Sequence, residues 1–179
     1  LPTAAVTMLS AVTAIGFSRV YEGWSFLPPM LVVVVVVHAV ALLLRARSVP
    51  ALLAVPMQLF VLLMLVTWRL YGATFSGIFP AGRTWDSITV DLELAKDQFP
   101  TAVAPVAAVG GFLAGGCIAV GIAVILADAF AFRAYGRTEA VTPTGVLFIF
   151  AAALGADRNR VALTAIWLAV ALATVALLR

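Results

Sequence analysis

Long apolar segments separated by short polar ones recur along the whole chain, and they restrict the solvent in which it can fold. A helix needs about 20 apolar residues to cross a hydrocarbon layer about 30 Å thick. Hydrophobic residues make up 64% of the chain and charged residues only 11%, against about half and about a quarter in soluble domains. A small water-soluble domain could not bury this much apolar surface. The pattern therefore predicts an all-α membrane protein.

Six segments fit membrane-spanning helices that are joined by short connections. We predict spans at residues 1–17, 27–44, 51–66, 106–127, 141–156 and 161–178. Prolines lie in the first turns of the second and fifth segments, where a helix tolerates the missing N–H. Six crossings use nearly all of the chain, so we expect residues 1–179 to form a single polytopic domain, a compact bundle of about six transmembrane helices.

The longest polar connection, residues 72–102, contains one amphipathic segment. Its apolar side chains recur at the spacing of a helix; they are Trp85, Ile88, Leu92, Ala95 and Phe99. Thr84 suits an N-cap and Pro100 ends the pattern. We predict a surface helix at 84–98, on which the four large side chains of the stripe form a docking surface. The alternative is a helix that only covers hydrophobic surface between spans.

Charge leaves the topology open. With a cytoplasmic N-terminus, the Lys and Arg residues divide almost evenly between the two sides, and the positive-inside rule then gives no answer. The connection at 72–102 is acidic. An acidic segment favours the side away from the anionic cytoplasmic leaflet, which would place the surface helix outside the cell.

Few side chains could carry chemistry. The one cysteine, Cys117, and the one histidine, His38, both lie inside predicted spans, where we expect them to pack. An intramembrane enzyme would need Cys117, His38 and an acid such as Asp128 within hydrogen-bond reach. No ligand cluster predicts a metal or a cofactor, and no run of basic residues predicts nucleic-acid binding.

Two further features predict contacts of the fourth span. Gly111 and Gly115 have the GxxxG spacing at which helix backbones approach closely, and this spacing is compatible with packing inside the bundle or with a dimer face. Asp128 is predicted to form a salt bridge with Arg133 or Arg137 at the membrane interface, where the span ends.

A set of short stretches distributed along the chain supports a family resemblance. They are His38-Ala39-Val40-Ala41 before Arg45-Ala46-Arg47, Val55-Pro56-Met57-Gln58-Leu59, Leu94-Ala95-Lys96-Asp97-Gln98-Phe99 followed by Ala104-Pro105-Val106, Ala127-Asp128-Ala129-Phe130-Ala131-Phe132-Arg133, Glu139-Ala140 before Pro143, and Gly155-Ala156-Asp157-Arg158-Asn159-Arg160-Val161. With them the chain resembles, over nearly its whole length, the N-terminal membrane domain of bacterial transglutaminase-like (TgpA-type) membrane proteins in their actinobacterial form.

The resemblance implies an anchor without catalytic residues of its own. Such proteins look like a multi-helix anchor followed by an extracytoplasmic domain with a papain-like Cys/His/Asp triad, and neither Cys117 nor His38 matches that triad. It further implies the bacterial cytoplasmic membrane, a cytoplasmic N-terminus and another span after Arg179. The implied partners are the lipid bilayer, the transglutaminase-like domain of the same protein, a MoxR-type ATPase and a von Willebrand-like protein.

A transporter or channel subunit for small molecules or ions is the alternative function. It would require a continuous polar path through the bundle, and that path would pass His38.

Overall fold

The structure is a computed structural model that describes residues 1–178. In this range the chain forms α-helices and no β-strand, with two isolated β-bridges, so the prediction of an all-α fold is confirmed for the described residues. The α-helices are α1 (Pro2–Gly16), α2 (Leu27–Ala46), α3 (Ala51–Tyr71), α4 (Gly82–Gln98), α5 (Gly110–Phe132), α6 (Thr142–Leu154) and α7 (Arg160–Leu177). Short 3₁₀ helices, Phe17–Arg19 and Gly72–Thr74, extend α1 and α3.

Four helices have the length and composition of membrane spans. α2 contains 20 residues, α3 with its 3₁₀ extension 24, α5 23 and α7 18, and each has a mean hydropathy of at least 2.0. α1 and α6 contain 15 and 13 residues, fewer than the roughly 20 that cross a hydrocarbon core. The described chain is therefore consistent with a membrane protein, and the count of six spans needs a separate argument.

The boundaries of α3 and α5 differ from the prediction, and α5 also continues to Phe132 instead of ending near residue 127. α3 runs through Pro56 and continues to Tyr71 instead of ending near residue 66, because residues 67–71 contain no proline or glycine. α5 begins at Gly110 and not at 106, because the backbone of Val106 is already paired. Its N–H donates to the Val20 carbonyl at 2.8 Å, and its carbonyl accepts the Glu22 N–H at 2.9 Å.

α4 lies at one end of the bundle, against α3 and α5. It begins at Gly82, two residues before the predicted start, so Thr84 is not the N-cap. The Thr84 hydroxyl instead accepts the Ala81 N–H at 3.0 Å, which satisfies one donor at the start of the helix. The Tyr71 hydroxyl donates to Asp91 at 3.0 Å, and this bond joins the middle of α4 to the end of α3.

α5 is the central helix, and glycines allow its neighbours to approach it. A Cβ on Gly121 would lie 2.2 Å from the nearest atom of Leu62, and one on Gly116 would lie 2.4 Å from the Tyr21 hydroxyl and 2.7 Å from the end of Met30. All three distances are shorter than the contacts that real Cβ atoms make, so larger residues would push these helices apart. α5 consequently packs against α1, α2, α3, α4 and α6.

The bundle has two ends, which we name after their residues. α1 and α2 run antiparallel, because Thr3 pairs with Arg45 while Ser10 pairs with His38. The Arg45 end contains the start of α1 and the last turns of α2 and α5. The α4 end contains α4, the 3₁₀ helix Phe17–Arg19 and the turn between α6 and α7. A cytoplasmic N-terminus would place the Arg45 end inside the cell, and this orientation stays a prediction.

The connections at the α4 end are tied to one another through backbone carbonyls. Arg158 in the α6–α7 turn donates to the carbonyls of Ser18 at 2.6 Å and Tyr21 at 2.9 Å. Arg19 is buried and donates through Nε to the Ala156 carbonyl at 2.8 Å. Since Val106 pairs with the same α1–α2 connection, three loops are held together at this end.

Candidate functional site

The apolar stripe predicted on α4 lines two grooves at the α4 end. Trp85, Ile88 and Leu92 border a groove of about 360 Å³ between α3, α4 and α5, which we call the α3-side groove. Leu92 and Phe99 border a second groove of about 440 Å³ between α4, α5 and α6, the α6-side groove. Both volumes lie in the range of small-molecule pockets. The predicted docking residues therefore border cavities beside the bundle.

α4 also has a second apolar flank. Val90 and Leu94 lie about 160° from Leu92 around the helix, and their side chains are 54% and 51% exposed, compared with 50% for Leu92. The sequence reasoning missed this flank because it followed a single stripe at spacings of three and four. The signal was present, since Val90 and Leu94 are themselves four residues apart.

The two glycines of the predicted GxxxG pair have different surroundings. A Cβ on Gly111 would lie 2.4 Å from the Asp91 carbonyl oxygen and 2.8 Å from Ala95 Cβ, so Gly111 allows α4 to approach α5. A Cβ on Gly115 would meet no atom within 4 Å. Gly115 is exposed and forms part of the floor of the α6-side groove, so its predicted packing role is not seen among the described residues.

Lys96 lies at the rim of the α6-side groove. It alone is charged among the described residues that line this groove, and within residues 1–178 no carboxylate lies within 4.0 Å of its ammonium group. The sequence reasoning did not select Lys96, because a single charge on a surface helix carries no pattern of its own.

Tyr21 is the other polar group of the α6-side groove, and it already has a partner. Its hydroxyl donates to the Phe112 carbonyl at 2.7 Å. Burial, followed by the nearby Cys117, raises the pKa of Tyr21 above its usual range. The Tyr21 hydroxyl therefore stays neutral, and its proton is used in the hydrogen bond to the Phe112 carbonyl.

A buried charge cluster occupies the opposite end, at Asp128. The Asp128 side chain is fully buried and forms a salt bridge with Arg45 of α2. Arg45 also donates to the Thr3 hydroxyl at 3.1 Å and lies 3.8 Å from the centre of the Phe132 ring, a cation–π distance. One arginine of α2 thereby contacts both α1 and α5.

The salt bridge predicted for Asp128 with Arg133 or Arg137 is replaced by the bridge to Arg45. Residues five apart on a helix point about 140° from each other, and only those three or four apart are neighbours. Arg133 instead donates to the Val49 carbonyl at 2.8 Å. Arg137 lies beyond the end of α5.

His38 contacts the same face of α1 as Arg45. The Ser10 hydroxyl donates to the Val6 carbonyl at 2.9 Å, so its oxygen can accept the Nε2–H of His38 across 3.2 Å. This assignment makes Nδ1 the acceptor of the ring, and Nδ1 has no partner among the described residues. The arrangement is consistent with the packing role predicted for His38.

The structure does not bring Cys117, His38 and Asp128 together. Gly116, the neighbour of Cys117, is level with Met30 of α2, eight residues before His38. At 1.5 Å per residue, Cys117 and His38 lie roughly 10 Å apart along the bundle. An intramembrane enzyme would need these groups within hydrogen-bond distance of one another. In the described residues, Cys117 and His38 are too far apart for such a bond.

The contacts described for these two regions are packing contacts, and two apolar grooves stay open beside α4. No group of three or more His, Cys, Asp or Glu residues with metal-binding geometry occurs in the described part of the chain. Comparison of the chain with models of protein families, with curated proteins and with solved structures gave no match. Inferences on function therefore rest on the residues and their geometry.

Proposed function

We propose that this chain is a membrane anchor that positions a transglutaminase-like domain of the same protein at the extracytoplasmic face. The observation that carries the proposal is the linkage of the α4 end, where Arg158, Arg19 and Val106 join three connections into one platform. A platform with fixed loops can hold an attached domain in a defined orientation. In this proposal the buried ion pair and the hydrogen bonds described above hold the bundle together, and the catalytic step belongs to another domain.

The identity of the attached domain in this proposal rests on the resemblance to TgpA-type membrane proteins. In such proteins the catalytic domain follows the membrane helices along the chain. MoxR-type ATPases and von Willebrand-like proteins enter the proposal on the same resemblance, as partners of the whole protein in the bacterial cytoplasmic membrane.

We further propose that α1 and α6 cross the membrane, which makes six crossings. Contacts at both ends support this count. α1 contacts Arg45 through Thr3, and its 3₁₀ extension contacts Ala156 through Arg19. α6 follows Ala140, which packs at the Arg45 end with Val6. It leads to Gly155, where a Cβ would lie 2.6 Å from Arg19 Cβ. Each short helix, together with the residues that flank it, thus connects the same two ends of the bundle as α2.

The crossing number can be tested with single cysteines in a Cys117→Ser background. We expect Ser25→Cys and Asp157→Cys to react with an impermeant maleimide from one side of the membrane, and Leu1→Cys and Thr138→Cys from the other. Reaction of Leu1 and Ser25 from the same side would contradict a crossing by α1, and reaction of Thr138 and Asp157 from the same side would contradict a crossing by α6.

The attached domain is tested first by reading the coding sequence that follows the codon for Arg179. A further apolar segment and then a domain with one cysteine followed by a histidine and an aspartate would support the anchor proposal. A coding sequence that contains no such domain would overturn it.

The surface by which α4 meets the attached domain is testable with two matched double variants. Ile88→Asp with Leu92→Asp places charges at the grooves, so we expect the bundle to lose stability. Val90→Asp with Leu94→Asp alters only the exposed flank. We expect this pair to keep the melting temperature of the bundle and to make the linker of the attached domain more sensitive to protease. Equal linker protection in the Val90/Leu94 variant and the native protein would exclude this flank as the docking surface.

The transporter alternative rests on one observation, the buried polar atoms without partners among the described residues. Those of His38, Gln58, Asp128 and Arg133 lie in the half of the bundle nearer the Arg45 end, and one further atom, on Arg19, lies at the α4 end. Toward the α4 end the core is apolar, with Met30, Val33, Leu62 and Val120 among its members. Flux of protons or small ions in proteoliposomes that His38→Leu abolishes would favour this alternative over the anchor.

A further inference from the structure

We propose that the α6-side groove is a binding site for one acyl chain of a phospholipid, with the anionic headgroup of that lipid at Lys96. The inference goes beyond the anchor function, because it concerns a ligand of the bundle and holds whatever domain is attached.

The groove has the chemistry of a hydrocarbon site. Its walls are aromatic and aliphatic, including Phe17, Phe99 and Phe150. Its floor is formed by small residues of α5, and the open space over Gly115 leaves room for a chain to lie directly against the helix backbone. Phe99 and Phe150 are 57% and 50% exposed, so this apolar surface is not covered by other parts of the described chain.

The groove also opens where a lipid can enter it. The face of α5 that carries Gly115 continues along the helix through Ile122, Leu126 and Phe130 at helical spacing, and these three side chains are exposed. Exposed apolar residues along one face of a membrane-spanning helix contact acyl chains. An acyl chain of the adjacent leaflet can therefore reach Gly115 sideways without leaving the hydrocarbon layer.

Lys96 supplies the charge that distinguishes one class of lipid from another. It is the charged group of the groove lining within the described chain, and its ammonium has no carboxylate partner there. A lysine at a membrane surface attracts anionic headgroups. Lys96 belongs to the C-terminal half of α4, at the end of the bundle where a headgroup would lie when its chain occupies the groove. Phosphatidylglycerol, with one negative charge, fits this arrangement.

A second copy of the chain fits the groove less well. In a two-fold symmetric dimer the same surface is used twice, so both Lys96 side chains would enter one interface. Like charges at a desolvated interface repel. The aromatic side chains of Phe99 and Phe150 would also have to be accommodated twice at the rim.

The test is native mass spectrometry of the full-length protein released from nanodiscs that contain equal amounts of phosphatidylglycerol and phosphatidylcholine. We expect one retained phospholipid per protein, predominantly phosphatidylglycerol. Gly115→Leu should place its side chain in the groove, since a Cβ there meets no atom within 4 Å, and should reduce the retained lipid at least tenfold. Ala169→Leu, at an exposed position on α7, is the control for added volume outside the groove and should retain the lipid.

The charge is tested separately. Lys96→Gln should keep a retained lipid but lose the preference for phosphatidylglycerol by about fivefold, the effect of one lysine near an anionic surface. Lys96→Arg should preserve the preference, and Arg83→Gln, on the same helix but outside the groove lining, should leave it unchanged.

Three results would overturn the proposal. They are equal lipid retention by Gly115→Leu and the native protein, no headgroup preference in the native protein, and a native dimer that Gly115→Leu converts to monomer. The last result would assign the groove to a second copy of the chain. Circular dichroism and the melting temperature of each variant check that a loss of lipid is not a loss of fold.

Discussion

The Arg45 end and the α4 end of the bundle hold their helices together by different chemistry. At the Arg45 end, side chains join helix to helix: Asp128 is fully buried and pairs with Arg45, which also binds Thr3. At the α4 end, arginines bind the carbonyls of neighbouring loops, and two apolar grooves stay open beside α4. The first end specifies which helices pair, and the second leaves surface free for binding.

The difference follows from the surroundings of each charge. A buried ion pair interacts through a medium of low dielectric constant, so loss of one partner leaves an uncompensated charge that costs several kcal/mol. A pair in contact with water is screened and contributes little. Asp128 belongs to the first class, whereas the pair of Arg160 and Asp157 in the α6–α7 turn, with side chains 71% and 90% exposed, belongs to the second. Substitutions at the two ends should therefore differ in size.

The largest effect is expected for Asp128→Ala. The Arg45 guanidinium, only 16% exposed, would keep its charge without a counter-ion, and the free energy of unfolding should fall by about 3–5 kcal/mol. Unfolding in mixed micelles with increasing SDS measures this change. Arg160→Gln, which breaks the exposed pair with Asp157, is the matched control at the α4 end and should change it by less than about 1 kcal/mol. Similar losses for the two variants would mean that both ends depend equally on charge pairs.

Replacement of both members of the pair sharpens the same comparison. Asp128→Leu combined with Arg45→Met removes both buried charges, so we expect most of the stability lost in Asp128→Ala to return. If the double variant is as unstable as the single one, the contacts of Arg45 with Thr3 and Phe132 would have to account for the loss.

An intermediate effect is expected at two adjacent glycines near the α4 end. Gly116→Ala forces a methyl group against the Tyr21 hydroxyl and Met30, and overpacking of this kind destabilises by about 1–3 kcal/mol. Gly115→Ala adds the same methyl group to open space and should be neutral or slightly stabilising, because alanine favours a helix. The melting temperatures of the two variants in one detergent give the comparison. Equal melting temperatures would contradict the different surroundings of the two residues.

The smallest effect is expected for Arg158→Gln. Its guanidinium donates to the carbonyls of Ser18 and Tyr21 from an exposed position, so we expect a loss of about 1 kcal/mol. Arg160→Gln removes only an exposed ion pair with Asp157 at 3.6 Å and should have almost no effect. Hydrogen exchange of the amides in the α1–α2 connection measures the local loosening. Faster exchange in Arg160→Gln than in Arg158→Gln would show that the hydrogen bonds of Arg158 do not hold the loop.

The sequence was sufficient to predict the α-helical class, because long apolar runs and helical spacing are local signals. It could not supply the partner of Asp128, which lies 83 residues away on another helix. Contacts across that separation depend on which helices are neighbours, and no periodicity within one segment contains this information. The sequence-based choice of Arg133 relied on proximity along α5, where a separation of five residues places side chains on different faces.

The candidate site shows the same limit. The stripe through Trp85, Leu92 and Phe99 was visible as a pattern, but its position beside two grooves depends on how α4 crosses α5. The GxxxG spacing indicated a close approach without showing that Gly111 contacts α4 while Gly115 faces open space. Lys96 could be recognised as a candidate binding residue only from its position beside the open groove.

The spacing of the polar contacts between α1 and α2 has a mechanical consequence. Two side-chain hydrogen bonds join α1 to α2, one between Thr3 and Arg45 and one between Ser10 and His38. On each helix the two bonded residues are seven positions apart, which is about two helical turns. If one helix slid along the other by one turn, about 5.4 Å, both hydrogen bonds would break at the same time. α1 and α2 should therefore move as one rigid body. A displacement of Thr3 along the helix axis would then displace Arg19, at the opposite end of the bundle, by the same distance.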